Sequence, residues 1–302
     1  MDNQLTMPAQ WWPSPAKLNL FLHINGRYPN GYHQLQSVFQ LLDYGDELAF
    51  EINHSGKIEL CTPIPGVAHD NNLIVRAAVL LKHYLTTHNP VHSHLGCRIY
   101  LKKRLPMGGG IGGGSSNAAT VLVVLNTLWQ AELPLTELAR LGLQLGADVP
   151  IFVEGNTAFA EGVGEKLQPF AVDQQTYLVV FPDCHVSTQA VFTHPDLPRD
   201  TAKIAPSDYQ FDTTHNDCQE LVCQLYPNVA KTLRWLLEYA PSRMTGTGSC
   251  VFAVFNDPVQ ALRIQNLLPE GSISFIATGC SRSPLHQLLD DLSDEDLLKL
   301  QA

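Results

Sequence analysis

Residues 106–116 hold the densest run of glycine in the chain, with six of its 21 glycines between Gly108 and Gly114. Glycine adopts positive φ angles and lets a ligand approach the backbone closely. A stretch typical of a buried helix follows at once, and the free N–H groups at a helix N-terminus bind phosphate oxygens. The segment therefore predicts a phosphate-binding loop. Its members are Pro106, Met107, Gly108, Gly109, Gly110, Ile111, Gly112, Gly113, Gly114, Ser115 and Ser116.

Two common phosphate-binding loops do not fit this segment. A P-loop requires a Lys after its last glycine, and none follows these glycines. Gly108, Gly110 and Gly113 match the dinucleotide-binding spacing, but that spacing alone is a weak signal. The acidic partner of that motif ends a second strand, whereas Glu132, at a suitable distance, lies between two predicted helices. A flexible linker is also disfavoured, because a predicted strand and a predicted helix flank the segment.

A lysine and an aspartate far apart in the sequence each carry a structural and a functional interpretation. Asp148 stands just past a predicted helix end and close to Pro150, where an acid is either a turn residue or a base for a hydroxyl proton. Lys17 is expected on the exposed face of the first strand, where it either meets solvent or pairs with such a carboxylate. The residue types alone leave both alternatives open.

Other candidate residues also carry two interpretations. Tyr32 and His33 follow a predicted turn, where aromatic residues either anchor a hairpin or project into a cleft. His88, His92 and His94 lie in a short Pro-containing stretch. Because a ligand site needs supporting groups around it, we interpret this histidine stretch as a surface loop rather than a metal site.

Two serines and two further glycines complete the set of candidates. Ser115 and Ser116 are expected to include the cap of the following helix, and either hydroxyl can also reach a phosphate or Mg²⁺. Gly246 and Gly248 form either a simple turn before a strand or a second backbone loop against a substrate.

Hydrophobic periodicity and capping residues predict the elements that position these residues. Residues 14–25 alternate, which predicts a strand with one buried face, and 115–129 is apolar nearly all round, which predicts a buried helix. The remaining predictions are strands at 37–52, 97–103, 157–161, 177–181, 250–255 and 272–278 and helices at 72–85, 136–146, 217–226, 229–239 and 258–268. This mixture indicates an α+β fold, with domains at 1–164 and 165–302.

Composition limits the possible partners. The chain has 302 residues, is 45% hydrophobic and carries a formal net charge of −10, which disfavours nucleic acid and anionic membranes. An anionic ligand then needs a local anion-binding site that overcomes the repulsion of the net negative charge. The glycine loop and the neighbouring Lys102, Lys103 and Arg104 are expected to supply it. Seven scattered cysteines without a C-x-x-C pair, no signal peptide and no membrane-length apolar run predict a cytoplasmic protein with reduced thiols.

The glycine loop is one of five motifs spread along the chain. The others are SPAKLNL at 14–20, NGYH at 30–33, LGADVP at 145–150 and MTGTGSC at 244–250. Together they resemble the galactokinase, homoserine kinase, mevalonate kinase and phosphomevalonate kinase (GHMP) superfamily, and within it the branch that phosphorylates the 2-hydroxyl of 4-diphosphocytidyl-2-C-methyl-D-erythritol in the non-mevalonate isoprenoid pathway. The resemblance spans about residues 12–285, with Ile111 where Leu is usual.

The resemblance implies a two-domain α+β fold, N-terminally ribosomal protein S5 domain 2-like and C-terminally ferredoxin-like, with ATP and acceptor between the domains. It implies that Asp148 is the catalytic base and that Lys17 is its electrostatic partner. Asn72 and Lys103 are expected beside the adenine, and Mg²⁺ is expected with ATP, although no metal ligand is identified. The residues implied to bind the acceptor are Asn19, Tyr32, His33, Asp148, Thr188, Phe192, Gly246 and Gly248.

In this interpretation Tyr32 and Phe192 stack on the two faces of cytosine, and His33 meets its polar edge. Asn19 contacts the methylerythritol arm. The expected partners are ATP and the small-molecule acceptor, and the chain is expected to be a monomer or a weak homodimer. A dinucleotide-dependent enzyme and a catalytically silent nucleotide sensor are the alternatives, and the presence of both Lys17 and Asp148 disfavours the sensor.

Overall fold

A computed structural model describes residues 10–301; the expectation about a signal peptide concerns residues 1–9, which lie outside this range. The strands are β1 (Trp12–Arg27), β2 (His33–Asn53), β3 (Ile58–Leu60), β4 (Gly96–Lys102), β5 (Ala158–Gly162), β6 (Lys166–Pro169), β7 (Thr176–Phe181), β8 (Ser242–Met244), β9 (Val251–Phe255) and β10 (Ile273–Cys280). The helices are α1 (Leu73–His88), α2 (Gly113–Leu128), α3 (Leu135–Leu143), α4 (Val149–Glu154), α5 (Thr188–Thr193), α6 (Gln219–Leu225), α7 (Pro227–Leu237), α8 (Pro258–Gln265), α9 (Pro284–Asp291) and α10 (Asp294–Gln301).

The long antiparallel pair β1–β2 carries the first motif of the sequence. Its register shifts between Pro15 and Lys17 and again between Asn19 and Leu22, and such bulges re-aim side chains. The predicted strand is confirmed, but the expectation of a single buried face is wrong, because residues 14–24 are all buried. Helix α2 packs on β1, and segments of the C-terminal half bond to it as well.

Helices α1, α2 and α4 pack together over the N-terminal strands and enclose the larger hydrophobic core. Helix α1 begins after the predicted cap Asn72, whose Oδ1 accepts the Ile74 N–H at 3.0 Å. Residues Ser116 to Leu125 of α2 are all buried, which confirms the prediction of a helix without a solvent face. This burial fixes the N-terminus of α2 rigidly beside the glycine loop.

The C-terminal strands are ordered β10-β7-β9-β8. Strand β10 also meets β2, through the pairs Gly279–Leu42 and Cys280–Leu41, so the two sheets share this strand. The expected boundary after residue 164 falls between β5 and β6, which pair with each other; we therefore propose a boundary after β6. Helix α9 returns to the N-terminal half, where Leu285 enters the core.

The structure corrects one expectation about α2. The helix begins at Gly113, and its N-cap is Gly112 in the left-handed conformation, so the expectation that Ser115 or Ser116 caps it is wrong. A capping side chain stands just before a helix, whereas both serines lie in its first turn. Ser116 instead bonds to the Ser14 hydroxyl at 3.0 Å, which ties α2 to β1.

The sequence pattern does not predict α4 or α5, since each has only six residues and hydrophobic periodicity needs a longer window.

No helix within residues 10–301 combines the length and the apolar character needed to cross a membrane.

Candidate active site

Three glycines with positive φ shape the predicted phosphate loop: Gly108 at 73°, Gly110 at 74° and Gly112 at 77°. A Cβ on Gly110 would lie 2.6 Å from the Thr245 carbonyl oxygen, so the loop has no room for a larger residue where it meets the turn at 245–249. Helix α2 starts inside this segment, at Gly113, and the first amides of a helix lack partners within it. The backbone is thus arranged to bind an anion.

A cavity of about 360 Å³ lies along the glycine loop, and we call it the nucleotide cavity. Asn72 and Lys103, both expected on the ATP side, contribute to its walls. Its apolar side is formed by Ile64, Val67, Leu73, Ile74 and Met107. An apolar wall beside a loop of free amides suits a ligand with a planar ring and a phosphate chain.

Asp46 anchors the start of the glycine loop, although nothing in the sequence singled it out. Its buried carboxylate accepts the backbone N–H groups of Arg104 at 2.7 Å and Leu105 at 2.8 Å. The same carboxylate accepts hydrogen bonds from Lys103 Nζ at 2.8 Å and from Asn117 Nδ2 at 3.1 Å. Because Asn117 belongs to α2, one carboxylate holds both the chain entering the loop and the helix that leaves it.

Two carboxylates offset part of the basic triplet before the loop, and a formal charge of +1 remains. Lys102 and Arg104 pair with Glu47 at 3.2 and 2.7 Å, and Lys103 pairs with Asp46 at 2.8 Å. The expectation that this triplet adds local positive charge for a ligand stays a prediction, with two of its three charges offset. The backbone amides of the glycine loop act beside this reduced charge.

Lys17 and Asp148 form an ion pair, with 3.3 Å between Lys17 Nζ and Asp148 Oδ2. The Lys17 side chain is only 3% exposed, so its expected position on a solvent face is wrong. Its ammonium also donates to Asn19 Oδ1 at 2.5 Å and to the Gly110 carbonyl at 3.2 Å, and it lies 5.1 Å from the ring centre of Phe39. These contacts fix the charge beside the glycine loop.

Asp148 directly precedes α4, yet its side chain makes no capping hydrogen bond. The alternative that it merely caps or closes a turn is therefore disfavoured. Its carboxylate is 37% exposed and combines a fixed cationic neighbour with access to a ligand. That combination suits a general base.

A second cavity, of about 320 Å³, opens beside this ion pair, and we call it the acceptor cavity. It is lined by Lys17 and Asp148 together with four of the residues expected to bind an acceptor: Asn19, Thr188, Phe192 and Gly246. Its wall shares Gly110, Gly112 and Ser115 with the nucleotide cavity. The two cavities therefore meet at the N-terminus of α2, next to the lysine–aspartate pair.

Three of the predicted acceptor residues lie outside this lining. Tyr32 is 63% exposed, His33 is buried and stacks on Phe192 with 5.0 Å between ring centres, and Gly248 packs behind the glycine loop, against Gly110. Burial, followed by the charge of Arg199, lowers the pKa of His33. The structure thus brings Phe192 and His33 together, whereas the Tyr32 side chain extends into solvent.

Asn19 is held by two residues that sequence reasoning missed. Its Nδ2 donates to Ser37 Oγ at 2.8 Å, and its backbone N–H donates to Thr245 Oγ1 at 2.9 Å. Thr245 lies within the fifth motif and was open to prediction, whereas Ser37 carries no local signal because only strand pairing brings it to Asn19.

The histidine stretch behaves as a surface element. His88 Nδ1 bonds to the Tyr84 carbonyl at 2.8 Å and His94 Nδ1 to the Val91 carbonyl at 2.6 Å. Across residues 10–301, no group of three or more His, Cys, Asp or Glu side chains is arranged to hold a metal ion.

Family models and relatives show which family the chain belongs to. The GHMP kinases N-terminal domain matches residues 72–156, and the GHMP kinases C-terminal domain matches residues 205–271. The 4-diphosphocytidyl-2-C-methyl-D-erythritol kinase of Pseudoalteromonas atlantica is 64% identical over 282 residues, which cover 93% of this chain and 96% of the relative. The chain belongs to this kinase family. The enzyme of the same name from Tolumonas auensis is 55% identical, over 93% of this chain and 96% of the relative.

Solved structures give the same picture. A crystal structure of 4-(cytidine 5'-diphospho)-2C-methyl-D-erythritol kinase is 32% identical, with a TM-score of 0.76, and the match covers 89% of this chain and 99% of that one. A mevalonate kinase structure, 14% identical with a TM-score of 0.62 over 90% of this chain and 99% of that one, shares the fold. The predicted two-domain α+β GHMP kinase fold is confirmed, and the dinucleotide interpretation of the glycine loop is disfavoured.

Proposed function

We propose that the chain transfers the γ-phosphoryl group of ATP to the 2-hydroxyl of 4-diphosphocytidyl-2-C-methyl-D-erythritol, a step of isoprenoid precursor synthesis. The observation that carries this proposal is the meeting of two cavities at the N-terminus of α2, beside Lys17 and Asp148. Phosphoryl transfer depends mainly on positioning and on electrostatic stabilisation, and this arrangement offers both. The names of the close relatives support the choice of acceptor.

Asp148 is the proposed general base. Its carboxylate lines the acceptor cavity, where it accepts the proton of the attacking hydroxyl and holds the oxygen in line with the phosphorus. Lys17 stands 3.3 Å from it and offsets the negative charge that develops on that oxygen. Since Lys17 also bonds to Asn19 and to the Gly110 carbonyl, its position is fixed before the substrates bind.

On the nucleotide side, amides of the glycine loop and of α2 bind the phosphates of ATP, and Asn72 and Lys103 flank the adenine. Mg²⁺ takes few protein ligands and keeps substrate phosphates and waters, and Ser115 lines both cavities where they meet. Bound there with ATP, Mg²⁺ would neutralise phosphate charge, with the Ser115 hydroxyl as its proposed protein ligand.

On the acceptor side, Phe192 and Tyr32 hold the two faces of the cytosine, and His33 meets its edge. Asn19, Thr188 and Gly246 face the polyol and diphosphate within the acceptor cavity, and Gly248 supports this wall by packing against the glycine loop. Tyr32 is exposed at 63%, which leaves its ring free to close over a bound base.

The remaining proposals concern the state of the protein. All seven cysteines are free, which supports the expected cytoplasmic location with reduced thiols. We retain a monomer or weak homodimer as the expected assembly, to be measured by light scattering across a range of concentrations.

The decisive experiment is a coupled ADP-release assay with the purified chain. The diphosphocytidyl polyol should support turnover, and mevalonate and homoserine should not. Turnover only with one of the other alcohols would overturn the proposed acceptor. Separate titrations with ATP and NADH test the cofactor: tight NADH binding without ATP binding would favour a dinucleotide enzyme.

A further inference from the structure

Arg199 joins the two parts of the wall that the proposed function assigns to the cytosine base. Its Nε donates to His33 Nε2 at 3.1 Å. Its Nη2 donates to the carbonyls of Phe192 at 3.0 Å and His194 at 2.7 Å, which lie at the C-terminal end of α5. One guanidinium therefore holds both the imidazole of His33 and the backbone of the residue whose ring stacks on it.

The hydrogen-bonding capacity of Arg199 is fully used inside the protein. Its Nη1 donates to the Leu197 carbonyl at 2.9 Å and more weakly to the Pro195 carbonyl at 3.5 Å. A guanidinium has five N–H donors, and the five acceptors around Arg199 match that number. The side chain has no donor left for a ligand, so any effect on a substrate passes through the groups it holds.

The bond to His33 also fixes the proton on that imidazole. A guanidinium always donates, so His33 Nε2 must accept, and the proton of the neutral ring lies on Nδ1. Within residues 10–301 His33 Nδ1 has no hydrogen-bond partner. The ring is thus a hydrogen-bond donor without a protein acceptor, which suits an acceptor atom on a pyrimidine edge.

We infer that Arg199 is a positioning residue for the acceptor base: it holds α5 and fixes His33 as a neutral Nδ1–H donor stacked against Phe192. This inference rests on the proposed function for its consequence in catalysis, but the state of the imidazole is a property of the free enzyme. Thr188 and Phe192 both line the acceptor cavity from α5, so an unfixed α5 would displace two contacts at once.

The first test is read out on the native enzyme, and a variant serves only to assign the signals. Two-dimensional ¹H–¹⁵N spectra of the histidine-labelled free enzyme, with the His33 signals assigned from a His33→Gln sample, should show a pyridine-type Nε2 and a protonated Nδ1 at neutral pH. A ring protonated on Nε2 would overturn the inference. This outcome is independent of the acceptor, so it is distinguishable from a failure of the proposed function, which would appear as no turnover of the cytidyl substrate by the native chain.

The second test compares Arg199→Lys with Arg199→Met. Neither side chain can bridge the five acceptors, so the KM for the cytidyl acceptor should rise about tenfold or more, while the KM for ATP stays unchanged. In both variants the spectrum of His33 should no longer show a ring protonated only on Nδ1. Arg234→Met is the matched control, because this exposed arginine of α7 makes one bond, to the Ala230 carbonyl. Equal increases in both KM values, or an unaltered KM for the acceptor, would overturn the inference.

Discussion

Replacing Gly110 by alanine tests whether the backbone of the glycine loop carries the nucleotide. The residue has a φ of 74°, and an L-residue in the left-handed region costs about 1–2 kcal/mol. The new Cβ would also stand 2.6 Å from the Thr245 carbonyl oxygen and 2.8 Å from that of Gly248. Real contacts of this kind are longer, so the loop must move away from the turn at 245–249, and its amides must move with it.

Misplacing reacting groups by about 1 Å lowers a rate about a hundredfold. We therefore expect the displaced loop of Gly110→Ala to lower kcat/KM for ATP about a hundredfold. Coupled ADP release at varied ATP concentrations measures it, and thermal unfolding of the same sample measures stability. Gly271→Ala is the matched control: its φ is 82°, and nothing lies within 4 Å of the added Cβ. It should lose a similar amount of stability and keep its activity. If Gly110→Ala also kept its activity, the loop would not be the phosphate site.

Three further substitutions separate the roles assigned here. Asp148→Asn should lower kcat by about 10²–10⁴-fold, the usual contribution of a general base, while ATP still binds in a calorimeter; an unaffected rate would remove this residue from the base role. Asp46→Asn should destabilise the fold by about 3 kcal/mol, since it breaks a buried charged network, and should raise the KM for ATP; urea unfolding and initial rates measure the two effects, and unaltered values would contradict the anchoring role. Tyr32→Ala should raise the KM for the cytidyl acceptor far more than that for ATP, and equal effects would contradict base stacking.

Elements with a long regular pattern were predictable from sequence. Strand β1, helix α1 with its Asn72 cap and the buried helix α2 follow from periodicity and capping chemistry, which act over a few neighbouring residues. The glycine loop followed from the same local reasoning, because φ preference and helix termini are properties of short segments. The position of the nucleotide cavity was therefore accessible before the structure.

Contacts between distant segments were not predictable in this way. Lys17 was expected in solvent because its strand alternates, and its burial arises from the glycine loop at 110–112 and from Asp148, which pack over that face. Asp46 and Arg199 act through bonds to segments about 60 to 170 residues away, and no local pattern records such pairings. The pairing of the basic triplet with Glu47 and Asp46 was missed for the same reason, since it depends on the register of β2 with β4.

The strand that both sheets share has a consequence for biosynthesis. Strand β10 pairs with β7 along residues 273–278 and with β2 at Gly279 and Cys280, and shortly after it α9 seats Leu285 in the N-terminal core. The first half of the chain leaves the ribosome long before these pieces exist. Until synthesis is nearly finished, its core lacks Leu285 and β2 lacks its pairing with β10, so early termination before β10 should yield a product vulnerable to proteolysis rather than a stable half-molecule.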